Sequence, residues 1–256
     1  MIEKALEEFN NYTDNYRSYG EMIELKIEHT KRVTNIASSI ADSLKLSKEE
    51  KMIATLCGLL HDIGRFEQYK NYQTYDDKKS IDHGDLGYKI LKEKDYLSVY
   101  TKNEKYKNSI LKSVKYHNKY SVPKNLSKQD KLFCNIARDA DKIDILYIFT
   151  DKTTERDIFK ADSNNTKISE KVLETLKNHK SISHEILQTK ADRLAICLGF
   201  IFDINYPYSF KYLKELKYMD IIIDKMKNKA SNKEFQKQLE EIRIIINEFI
   251  EVNSKC

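Results

Sequence analysis

Tryptophan is absent from this sequence, and the residues that interrupt regular structure are scarce: two prolines and six glycines among 256 positions. So few turn formers exclude a β-sandwich or barrel with its many tight connections and favour long helices. The four cysteines (Cys57, Cys134, Cys197, Cys256) lie far apart, with no C-x-x-C pair. That spacing speaks against a disulfide framework or a zinc knuckle and fits a reducing compartment. No apolar run reaches the ~18 residues of a membrane span. The charged start Met1–Glu8 carries no secretory apolar segment. The expected location is cytoplasmic, with no membrane partner. Lys and Arg number 45 against 40 Asp and Glu, a net charge of +5. Without a basic block of ~5–8 residues, this mild excess points to a lysine-rich surface and to no dedicated nucleic-acid binding.

What the chain does have is 40% hydrophobic and 33% charged residues, with 17 tyrosines and 10 phenylalanines for aromatic bulk. This is enough to enclose a core. Met22, His29, Val33, Ile36, Ala37, Ile40 and Leu44 fall on one face of a helix expected over Glu21–Leu44. Ser47-Lys48-Glu49-Glu50 reads as a capping box opening a helix that delivers His61 and Asp62 at its end. Gly64 is expected to close that helix in a left-handed conformation, and the polar, tyrosine-rich stretch Phe66–Lys79 is expected to be a loop. Ser80 or Asp82 caps the next helix, in which His83, Leu86, Gly87 and Ile90 share a face. A helix over Lys105–His117 groups Ile110, Val114 and His117, and another starting at Ser127 places Phe133, Ala137 and Asp141 at four-residue spacing. Further helices are expected over Ile168–Leu176, Ile182–Ile201, Tyr208–Met226 and Phe235–Val252, with a turn at Asp162–Asn165. The fold class is all-α. A single domain over residues 1–256 is expected.

His29, His61, His83 and His117 each sit on, or at the end of, the apolar stripe of a different expected helix, and Asp62 and Asp141 do likewise. Any one of these histidines alone reads more readily as a satisfied core residue than as a ligand. Together they need a common counter-charge, because a lone buried carboxylate costs several kcal/mol (order of magnitude). Divalent cations supply it, since imidazole nitrogen and carboxylate oxygen suit Zn, Fe or Mn. His179 and His184 lack the pattern and read as solvated turns. Arg193 and Asp203 read as buried polar partners, and Asp139 as a structural pair on the far side of its helix from Asp141.

The order His29, His61-Asp62, Asp141 resembles the H…HD…D signature of the HD-domain phosphohydrolase superfamily. The neighbouring segments are similar too: His29-Thr30-x-Arg32-Val33, Leu60-His61-Asp62-Ile63-Gly64, Asp82-His83-Gly84, Tyr116-His117-Asn118 and Asp139-Ala140-Asp141-Lys142-Ile143-Asp144. The resemblance covers about residues 20–150, leaving about 151–256 as a helical extension. It implies a helical bundle that binds one or two divalent ions (Fe, Mn, Zn, Ni or Mg) and hydrolyses a phosphomonoester or phosphodiester, often of a nucleotide. By position, His29, His61, Asp62 and Asp141 would hold one metal. His83 and His117 match the additional histidines of dinuclear members, with Asp62 bridging.

Such a pair of cations, ~3.5–4 Å apart, can bind a phosphoryl oxygen and activate a bridging water for in-line attack. Arg65 and Lys142 flank the expected ligands as candidates for gripping phosphate, with surface ion pairs as the alternative. Asp82 either orients His83 or caps its helix. The sequence departs from the named subfamilies. Arg65 stands where 5′-deoxynucleotidase-like members carry Glu, and Arg65-Phe66 replaces the Glu-Asp pair of alarmone hydrolases. Ile63-Gly64 matches cyclic-di-GMP phosphodiesterases, but Asn118 follows His117 and their Gly-Tyr-Pro element is missing. A di-iron oxygenase-like relative or a non-catalytic nucleotide-sensing module would use the same ligands.

Overall fold

The computed structural model describes residues 2–93, 96–150 and 166–255, and every regular element among them is helical. The expected all-α class holds. The chain divides into two compact units, Met1–Asp141 and Lys142–Cys256. The division falls inside the helix that carries Asp141. The expected turn at Asp162–Asn165 lies outside the described residues.

In the first unit, α1 (Ile2–Asp14) precedes the pair α2 (Glu21–Ser43) and α3 (Lys48–Leu60). Helix α3 begins as its sequence dictates: Ser47 Oγ accepts from Glu50 N, and Glu50 Oε2 accepts from Ser47 N. Every residue from Ile53 to Leu60 is buried, so α3 is enclosed on all sides rather than half-solvated. Its last turn therefore delivers His61 into the interior.

Gly64 does not end this helix. It lies in the first turn of α4 (Ile63–Tyr72), and Gly20 is the glycine with positive φ among the described residues. The need for glycine at 64 is steric: a Cβ there would stand 2.3 Å from His83 O and 2.7 Å from Gly87 N. The expected loop Phe66–Lys79 is likewise corrected, because α4 runs through Tyr72. Phe66 is fully buried against Phe9, Tyr12 and Tyr16. Gln68 is buried because its amide donates to Asp77, Ser80 and Ile81. Burial of a glycine and an amide beside Ile63 and Phe66 leaves a faint hydropathy period.

Helix α5 (His83–Glu93) packs on α4 and on α6 (Glu104–Tyr116), and α7 follows (Lys128–Thr150). Asp82 Oδ1 accepts from Asp85 N at 2.9 Å, so Asp82 caps α5. On α7, Arg138 is buried and donates to the carbonyls of Tyr116, His117 and Lys119. A guanidinium thus closes the C-terminal end of α6, where orphan carbonyls favour a cation.

The second unit contains α8 (Glu170–Lys177), α9 (Lys190–Gly199), α10 (Pro207–Glu215), α11 (Tyr218–Lys229) and α12 (Lys233–Asn253). The single helix expected over Ile182–Ile201 begins at Lys190, because Thr189 and Asp192 form a capping box there. The one expected over Tyr208–Met226 is two helices, broken where Lys217 turns left-handed at φ 53°. Arg193 is exposed, contrary to expectation. The buried polar group is its neighbour Asp192, whose carboxylate accepts from the backbone of Ser169, Gln188 and Thr189. His179 and His184 are exposed, as expected. Among the described residues no helix is long and apolar enough to cross a membrane.

Candidate metal centre

The first unit brings His29, His61, Asp62, His83 and His117, all buried, together with the partly exposed Asp141 into one cluster, to which α2, the α3–α4 junction, α5, the end of α6, and α7 contribute. Asp62 is its pivot. Its Oδ2 lies 3.6 Å from His29 Nε2 and 3.5 Å from His61 Nε2. Its Oδ1 lies 3.4 Å from His83 Nε2 and 3.5 Å from His117 Nε2. Asp141 Oδ1 completes the first group, 3.2 Å from His29 Nε2 and 3.6 Å from His61 Nε2. Donors ~2.0–2.1 Å from a common ion and about 90–110° apart would stand ~2.9–3.4 Å from one another. The observed separations are close to that range.

Hydrogen bonds behind the rings fix which nitrogen faces inward. His61 Nδ1 donates to Gly58 O at 2.7 Å, and His117 Nδ1 donates to Val114 O at 2.8 Å. His83 Nδ1 lies 2.7 Å from Asp77 Oδ2. A carbonyl or carboxylate only accepts, so these Nδ1 atoms carry the proton. Burial, together with nearby Arg65, holds His83 down to about 4, and burial also lowers His117. Both rings are neutral at pH 7, so their Nε2 lone pairs face each other across 3.0 Å. Two bare nitrogens beside a carboxylate, with no proton between them, form a donor set that fits a divalent cation.

On the other side of Asp62 the charge is balanced differently. Burial opposes a charged His61, but Asp62 and Asp141 outweigh it and raise this ring to about 10. Burial likewise opposes a charged Asp62, and Lys26 and His61 overcome it, holding the carboxyl well below the usual range. Asp141 is also lowered: His29 and His61 outweigh its burial.

Three residues outside the expected ligand set shape the site. Lys26 Nζ is 2.6 Å from Asp62 Oδ2. Asp77, and not Asp82, holds His83, and its Oδ1 accepts from Arg65 Nη1 at 2.8 Å and Gln68 Nε2 at 2.9 Å. Asn118 Nδ2 reaches Asp82 Oδ1 at 3.1 Å and Asp77 Oδ2 at 3.3 Å. Gly84 admits this amide, since a Cβ there would meet Asn118 Oδ1 at 2.5 Å. Lys26 had a sequence signal: it lies about one helical turn before His29. Asp77 had none, because loops carry no period.

Arg65 is anchored by one edge, Nη1 donating to Gln68, Tyr75 and Asp77. Its buried Nε, without a hydrogen bond, is 3.6 Å from Asp62 Oδ1. Lys142 pairs with Asp203 at 2.7 Å in the second unit. Asp139 is fully buried.

The family model described as HD domain matches residues 27–146, a span that contains all six clustered side chains. Residues 27–146, just under half of the chain, are thus similar to an HD domain. No curated protein and no solved structure matches the chain.

Proposed function

We propose that the chain is a metal-dependent phosphohydrolase with a two-ion centre, acting on a phosphomonoester or phosphodiester, with a nucleotide as the leading substrate class. One observation carries the reading: the two oxygens of Asp62 face two separate histidine pairs. A single structural ion would need only one of them. His29, His61, Asp141 and Asp62 Oδ2 would hold one ion, and His83, His117 and Asp62 Oδ1 the other. Bound divalent ions would supply Lewis acidity toward phosphoryl oxygens and a water of lowered pKa.

The protein's own groups set the conditions for that chemistry. Gly58, Val114 and Asp77 hold three rings so that Nε2 points inward, bare in His83 and His117 and protonated in His61, whose proton an arriving ion would displace. Burial keeps His83 and His117 neutral and therefore available as ligands. Arg65, tied through Nη1 to Asp77 and with Nε turned to Asp62, would offer its remaining nitrogen, Nη2, to a phosphate oxygen. Lys142 is left out of this role, because its ammonium is already matched by Asp203. The test is a panel of mono- and diesters, nucleotides included, offered to Mn- or Fe-loaded protein. Release of phosphate or nucleoside is expected from at least one class. Protein holding two ions that cleaves none of them would point to oxidative or sensing use of the same fold.

A further inference from the structure

Lys26 belongs to no histidine or carboxylate donor set, yet its ammonium is nearer to Asp62 Oδ2 than any histidine nitrogen is. It supplies positive charge on the side of Asp62 where the two-ion reading, on which this inference rests, puts a divalent ion. Two cations crowded on one buried carboxylate oxygen repel strongly, because screening there is weak. Lysine is suited to give way: its stem is flexible and its charge compact. The side chain is 21% exposed against 3% for Asp62, so it has an outward path. Its other contact among the described residues is the Tyr75 ring, 5.6 Å to the centroid. Tyr75 OH donates to Met22 O, one turn earlier on α2, which keeps that ring beside Lys26. The Arg65 guanidinium lies over the same ring, also at 5.6 Å.

We infer that Lys26 is a displaceable internal cation. It neutralises Asp62 while divalent metal is absent and leaves Oδ2 when metal binds. Its freed ammonium, on the exposed side of the centre, then holds the anionic phosphoryl group of the substrate together with Arg65.

Manganese titration of the full chain, read by calorimetry, tests this without turnover. Lys26→Met removes the charge at similar length, and the first Mn ion is expected to bind roughly tenfold tighter or more. Lys26→Gln, run in parallel in case the Met variant does not fold, is expected to behave alike. Lys26→Arg keeps the charge and is expected to stay within roughly threefold of wild type. In the Mn-loaded protein, Lys26→Met is expected to weaken inorganic phosphate binding roughly tenfold. Mn affinity unchanged or weaker in the neutral variants, or equally tightened by Arg, would overturn the displaceable cation. Unchanged phosphate affinity would overturn its anion-holding role. Wild type that binds no Mn would instead bring down the two-ion reading, and the role of Lys26 with it.

Discussion

The two sides of Asp62 are built from similar ligands but are balanced by different means. Toward Oδ2 the charges are explicit: a second carboxylate from Asp141, the Lys26 ammonium and a His61 ring raised to about 10. Toward Oδ1 the two histidines are neutral, and the charged groups stand one layer back in the Arg65–Asp77 pair. A cation arriving at the first half must displace a proton and an ammonium. One arriving at the second finds bare nitrogens. If two ions bind as proposed, the difference predicts unlike affinities and an unlike response to pH on the two sides of Asp62.

Removing the bridge should have the largest effect. Asp62→Ala is expected to lose both ions and all measurable turnover while the helical circular dichroism remains. Turnover close to wild type would remove Asp62 from the centre. Next, His83→Ala and His29→Ala should each lose about one equivalent of metal, from opposite halves. Loss of both ions from either variant would show one cooperative site in place of two halves.

Asp77→Asn probes the layer behind the ligands. A neutral amide in place of the carboxylate makes His83 a poorer base, which typically costs about 10–100-fold in metal affinity. That loss should be confined to the second half, so a titration resolving the two binding steps should show one step weakened. A graded effect of comparable size comes from pH. Because His61 is raised to about 10, metal at the first half must displace its proton, and affinity should rise about tenfold per pH unit between 7 and 9. His83, held at about 4, is already deprotonated there, so the second step should stay flat. Calorimetry in buffers of different ionisation enthalpy should find about one proton released per chain near pH 7. Equal pH slopes for the two steps would erase the contrast.

How much of this was legible in the sequence follows from where each residue sits. His29, His61, His83, His117 and Asp141 occur on regular helices whose apolar period says which way a side chain faces, and Asp62 is tied to them by adjacency. The capping box at Ser47 fixed the register that ends α3 at His61. By contrast, α4 was illegible as a helix, since beyond Ile63 and Gly64 its buried residues are Phe66 and Gln68, two positions apart, and Gln68 is buried through hydrogen bonds that exist only after folding. Asp77 lies in a short turn, where no spacing rule assigns a direction. Gly64 was misread as a stop signal because a glycine needed for close packing and one needed for positive φ look the same in sequence. Asp192 rather than Arg193 is the buried group for a similar reason: adjacent residues on a helix differ by about 100°, and only the cap at Thr189 decides which of them turns inward.

The most direct measurement is the metal content of wild-type protein reconstituted with Mn or Fe and freed of excess by gel filtration. Two equivalents per chain are expected, falling to one in His83→Ala. A single equivalent in wild type, unchanged by His83→Ala, would contradict the division of Asp62 between two ions.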